Sequence, residues 1–155
     1  MTQSQEHISV ALNLPVMMDL AWDEVFGHKI DQNTRAVLDM VFYAGLSKGP
    51  EAAPSLGTLM RLVAQATDRE AQTAKMFINR AVDVGLIEVR SDATDSRRKL
   101  VHFTDDTVAK YFQVNEIKKK IVMAVAEQLK EPQNPRAGSH LTPPSVYTNI
   151  WANED

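Results

Sequence analysis

The chain has 155 residues, 44% apolar and 24% charged, with a formal net charge of −3. That length and balance fit one domain with a buried core, and no apolar run approaches the roughly 20 residues of a membrane-spanning helix. The absence of cysteine excludes disulfides, thiolate catalysis and thiol-based redox sensing. The polar, acidic N-terminus lacks the basic start and apolar core of a signal peptide, so a cytoplasmic location is expected.

Along residues 1–31, Ile8, Val10, Leu12 and Leu14 alternate with other residues, which predicts an extended arm. Pro15 then opens a short helix with Met18, Trp22 and Val25 on one face. A segment this apolar needs cover, from a partner subunit or from the chain's own core. Asp31 or Asn33 caps a helix that runs through Ala44, with Val37, Leu38, Val41 and Phe42 as its stripe and Gly45 at its C-terminal end. Residues 47–54 form a loop. Ser55 caps a second helix carrying Leu56, Leu59, Met60 and Val63.

A turn over residues 65–68 leads into a third helix. Thr67-Asp68-Arg69-Glu70 matches a capping box. Ala71, Ala74, Phe77, Ile78 and Ala81 are expected to face inward, and Gly85 to end the helix in a left-handed cap. Leu86–Arg90 and Leu100–Phe103 are candidate strands, separated by nine polar and charged residues. Thr104 caps a last helical region in which Asp105 and Asp106 suit the positive end of the dipole. Val108, Phe112, Ile117, Ile121, Val125 and Leu129 are its apolar positions, with a break expected near Val114-Asn115. The remaining tail, with Pro132, Pro135, Pro143 and Pro144, reads as an irregular arm whose end Val146, Tyr147, Ile150 and Trp151 would anchor.

Helices followed by a two-stranded hairpin with a cationic turn outline a winged helix-turn-helix. The fold class expected is mainly α, with a two-stranded β-wing and terminal helices for dimerisation. The third helix presents Gln72, Thr73, Lys75, Met76, Asn79 and Arg80 on its outer face. Amides can bond adenine bidentately, Thr can reach phosphate or a thymine methyl, and Lys can serve phosphate or guanine. An ordinary solvated helix face fits that helix equally well. The hairpin is more specific: Arg97, Arg98 and Lys99 are consecutive cations that repel one another unless an anion is near. Arg can enter a narrow minor groove, and Asp95 is placed to hold the Arg97 guanidinium by a forked pair.

Asp95-x-Arg97-x-Lys99-Leu100-Val101-x-x-Thr104, preceded by Gly85-Leu86-Ile87-Glu88 and Asp92, resembles the wing signature of MarR-type winged-helix transcription regulators. The similarity extends over about residues 32–131. The resemblance implies a transcription regulator, more often a repressor, that binds double-stranded DNA as a two-fold homodimer. It implies that the arginine matching Arg97 enters the minor groove, that Asp95 positions it, and that Gln72, Thr73 and Met76 face the major groove. It also implies dimerisation through helices from both chain ends and, in many members, release of DNA by a small aromatic effector. The turn Ala66-Thr67-Asp68-Arg69-Glu70 departs from the family's apolar, glycine-containing pattern, and Met76 stands where a basic or polar residue is commoner.

The corresponding division is an N-terminal dimerisation arm (1–31), a winged-helix DNA-binding domain (32–104), a C-terminal dimerisation helix (105–131) and a Pro-rich arm (132–155). The expected DNA-contacting set is Gln72, Thr73, Lys75, Met76, Asn79, Arg97, Arg98 and Lys99, with Asp95 as the wing-positioning residue. No cofactor, metal site or membrane association is expected. His7, His28, His102 and His140 lack ligand spacing, and there is no glycine-rich phosphate loop or Gly-x-Ser-x-Gly element, so an enzyme is not expected. The alternative is a non-enzymatic winged-helix module that binds protein, which the negative net charge and the acidic turn favour.

Overall fold

A computed structural model describes residues 3–27, 30–45, 48–49 and 52–130, with side-chain surroundings from Asn13 onward. The Pro-rich arm and the expected anchors Val146, Tyr147, Ile150 and Trp151 lie outside the described residues. Within them the order is α1 (Gln3–Phe26), α2 (Gln32–Ala44), α3 (Leu56–Thr67), α4 (Ala71–Asp83), β1 (Ile87–Ser91), β2 (Lys99–Phe103) and α5 (Asp105–Lys130). Among the described residues no helix is long and apolar enough to cross a membrane. The described residues form two compact units, one lying within His28–Lys110 and one made by α1 with the part of α5 from Tyr111 onward.

In the central unit, α2 begins where Asp31 accepts the Thr34 N–H at 2.7 Å and the Thr34 hydroxyl at 2.8 Å. These bonds satisfy a free donor of the first turn. Val37, Leu38 and Val41 are buried along one stripe. Gly45 follows, with φ at −122° rather than in the left-handed region. Its need is for space, because a Cβ there would sit 2.8 Å from the Ala52 carbonyl oxygen and 3.0 Å from Pro54 Cδ. Ser55 caps α3 by accepting the Thr58 N–H at 3.2 Å, and Leu59 and Val63 are fully buried.

The expected capping box does not form. Helix α3 extends through Thr67, whose hydroxyl donates to the Val63 carbonyl at 2.7 Å. Asp68 takes the left-handed conformation that ends α3 (φ 52°), and Glu70 precedes α4 without a side-chain cap. A hydroxyl already bonded one turn back is not free to cap the next helix. Ala74, Phe77, Ile78 and Ala81 are buried as expected, whereas Ala71, on the first turn, is exposed.

Helix α4 ends in a Schellman motif. The Gly85 N–H reaches the Val82 carbonyl, the Leu86 N–H reaches the Ala81 carbonyl, each at 3.0 Å, and Gly85 has φ +78°. The chain is thereby turned into β1. Strands β1 and β2 pair antiparallel, Ile87 opposite Phe103 and Ser91 opposite Lys99, one residue off the expected edges. Ile87, Val101 and Phe103 are buried on one face. Pro54 and Ser55 extend the pairing: the Val101 N–H donates to the Pro54 carbonyl at 2.9 Å, and Ser55 bridges Leu100. Proline donates no N–H, so it suits this edge position. Helices α2, α3 and α4 pack on one another, β1 packs on α4, and β2 packs on α2 and α3.

In the second unit, α1 is a single helix with Pro15 inside it, which corrects the extended arm and short helix expected from alternation. Four alternating apolar residues also occur by chance within a helix. Past Pro15, Met17, Ala21, Trp22 and Phe26 are buried at helical spacing. Trp22 stacks on Phe26 (centroids 5.7 Å apart) and meets Tyr111 of α5 edge-on at 5.8 Å. The Lys118 ammonium lies 4.7 Å from the Trp22 ring centroid. Helix α5 is continuous, without a break at Val114-Asn115. Its buried positions there are Tyr111, Val114, Ile117, Ile121 and Val125, whereas the expected Phe112 and Leu129 are exposed.

Candidate nucleic-acid interface

Burying Ala74, Phe77, Ile78 and Ala81 fixes the rotation of α4 and leaves its other side in solvent. Gln72, Lys75, Met76, Asn79 and Arg80 are exposed, and Thr73 is half-buried. The same rotation brings Arg80 close enough to Asp31 to help keep that carboxylate ionised. Asp31 titrates below its ordinary value mainly because it accepts the Thr34 N–H.

The wing loop sorts its charges. Asp92 accepts the Thr94 N–H at 2.9 Å and the Thr94 hydroxyl at 2.8 Å. These bonds, the backbone one first, hold its carboxyl below the usual range. Asp95 accepts the Arg97 N–H at 3.0 Å, the Arg98 N–H donates to the Asp95 carbonyl at 3.0 Å, and the Asp92 N–H closes the loop on the Arg98 carbonyl at 2.9 Å. Both acids therefore serve the backbone of the turn.

The forked Asp95–Arg97 side-chain pair is not formed, because the Asp95 oxygen is directed at the backbone N–H two residues on. The ion pair within the loop instead joins Arg98 Nη1 to Asp92 Oδ2 at 4.0 Å, and Lys99 Nζ donates to Ser91 Oγ at 2.9 Å across the base of the hairpin. Of the three consecutive cations, Arg97 is exposed and has no ion-pair partner among the described residues. The adjoining Arg90 pairs with Glu88 along β1.

Two anchoring features escaped sequence reading. The Thr104 hydroxyl donates to the Gly85 carbonyl at 2.9 Å and lies 2.9 Å from the hydroxyl of the buried Thr107. The end of α4, the start of β1 and the start of α5 are thus joined at one point. The Pro54 carbonyl ties β2 to the entry of α3. Thr104 is legible only as a helix cap and Pro54 only as a loop residue, because both partners are remote in sequence. A pocket of about 180 Å³ opens beside β2, its walls including Val41, Pro54, Arg90, His102, Phe103 and Asp105. Among the described residues no cluster of three or more His, Asp or Glu is arranged to hold a metal ion.

No sequence-family profile matches the chain, and no curated protein matches it by sequence. Solved structures do match. A single-substitution variant of MepR from S. aureus aligns over 100% of this chain and 97% of its own, at 17% identity and TM-score 0.63. RV1404 from Mycobacterium tuberculosis aligns over 99% and 93%, at 16% identity and TM-score 0.59. The S. aureus MepR–DNA complex aligns over 78% and 86%, at 17% identity and TM-score 0.53. The chain thus has the mainly α, winged helix-turn-helix fold that these solved structures share.

Proposed function

We propose that this protein is a DNA-binding transcription regulator, acting as a binding protein and not as a catalyst. Helix α4 enters the major groove, with Gln72, Thr73, Lys75, Met76 and Asn79 toward the duplex. The wing lies alongside with Arg98 and Lys99 at phosphate and Arg97 in the minor groove. The observation that carries this reading is the charge arrangement of the wing: Asp92 and Asp95 bond inward to the turn, which leaves the exposed Arg97 guanidinium without an ion-pair partner among the described residues. A net charge of −3 is compatible with it, because phosphate responds to local potential and not to the sum. The fold shared with a protein solved on DNA gives further support.

The finer reading is a repressor that binds as a homodimer across two half-sites about 34 Å apart. Exposed Val16, Leu20, Val122 and Met123, on α1 and α5, support pairing of those helices between subunits. The pocket beside β2 supports control by a small aromatic effector, since its walls include the strand that carries the wing. A winged-helix module for protein binding is the second reading, favoured by exposed Asp68 and Glu70 at the start of α4. Selection of bound fragments from genomic DNA at two salt concentrations separates the two. DNA binding predicts a two-fold symmetric motif whose retention falls steeply with salt, as counterions are released. Retention of no fragment at the lower salt would reject it.

A further inference from the structure

The outer side of α4 is ordered by chemistry. At about 100° per residue, Gln72, Met76 and Asn79 form a crest opposite the buried stripe of Ala74, Phe77, Ile78 and Ala81. Lys75 flanks the crest on one side and Arg80 on the other. Met76 is 45% exposed, an apolar side chain held in water at the centre of the face. Helical position puts Arg80 on the flank, so no arginine stands on the crest. The commonest reader of guanine is a bidentate Arg or Lys at O6 and N7, whereas amides pair with adenine N6 and N7 and apolar groups pack on the thymine methyl.

We infer that the crest of α4 selects A·T pairs in each half-site, with Gln72 and Asn79 pairing with adenine and Met76 packing on a thymine methyl. The inference rests on the DNA-binding reading of this face and specifies its target. Gln72 to Asn79 spans about 10 Å of helix axis, or about three base-pair steps at 3.4 Å each. The contacted run is therefore about three or four consecutive A·T pairs. Exposed Glu70 and Asp83, just beyond its ends, repel phosphate and confine contact to the pairs between them.

The test uses the full chain and a random duplex pool at low salt. The enriched half-sites are expected to hold an A·T run. Replacing its thymines by deoxyuridine, which removes only the methyl group, should weaken wild-type binding about fourfold, the worth of one methyl-sized apolar contact. Met76→Ala should bind the thymine and deoxyuridine duplexes alike, and Met76→Leu should keep the discrimination. A G·C-rich motif, retention without sequence preference, or an equal deoxyuridine effect in Met76→Ala would overturn the inference and leave the DNA-binding reading standing. Failure to retain any duplex would overturn both.

Discussion

Arg97 is set apart by what its neighbours are doing. Arg98 faces Asp92 and Lys99 bonds Ser91, whereas the Arg97 side chain is left to solvent and its N–H is held by Asp95. Arg97→Ala is expected to weaken duplex binding by about 1–3 kcal/mol and to leave the thermal unfolding midpoint unchanged. A binding isotherm and a melting curve on the same preparation check both halves. Asp31 carries the opposite kind of charge, one used for folding. Its folded-state pKa lies below the ordinary 3.8 because it accepts the Thr34 N–H. Its stabilising effect is therefore fully present above that value and is lost as pH falls through the lower, folded-state one. Urea unfolding from about pH 6 to about pH 3 should show the advantage of the wild type over Asp31→Ala, about 1 kcal/mol near neutrality, shrinking as the solution is acidified.

Two helix ends depend on glycine for different reasons. Gly85 needs a positive φ, +78°, with open space where a side chain would go. Gly85→Ala should cost about 1–2 kcal/mol, the strain of a left-handed residue. Gly45 has an ordinary φ but no room, being packed against the Ala52 carbonyl and Pro54. Gly45→Ala must shift backbone and should cost more than Gly85→Ala, with the loss read as a lowered denaturant midpoint. Because Pro54 also bonds Val101 of β2, a shift there reaches the wing. Gly45→Ala is therefore expected to weaken duplex binding as well, whereas Leu59→Ala, in the core of α3, should lower stability by about 2–5 kcal/mol through its cavity.

For the molecule as a whole, the second unit leaves large apolar residues in solvent. Val16, Leu20, Phe112, Val122, Met123 and Leu129 are all exposed on α1 and α5. Scattered apolar residues are ordinary on a surface, but their concentration on two long helices fits an interface between copies. Sedimentation at micromolar concentration should show a dimer, and Val122→Lys combined with Met123→Lys should shift it to monomer. Such a monomer should lose preference for two-fold sites while single half-sites still bind weakly. A wild-type monomer at that concentration would remove the paired-operator reading.

Residue types and spacing settled helices α2 to α4, the turn at Gly85 and the paired strands, because stripes such as Val37, Leu38 and Val41 and a glycine at the left-handed position leave few alternatives. They also marked the outer face of α4 and the cations of the wing. Three-dimensional packing decided the rest. Alternation before Pro15 was compatible with strand or helix, and the folded chain carries one helix from Gln3 through Pro15 to Phe26. Thr67 looked like a cap until its hydroxyl bonded Val63 within its own helix. Asp92 and Asp95 offset two of the wing's cations when residues are counted, yet their oxygens turn inward to backbone donors. The direction of a side chain, and therefore the potential a duplex would meet, is fixed by hydrogen bonds that only the folded chain can form.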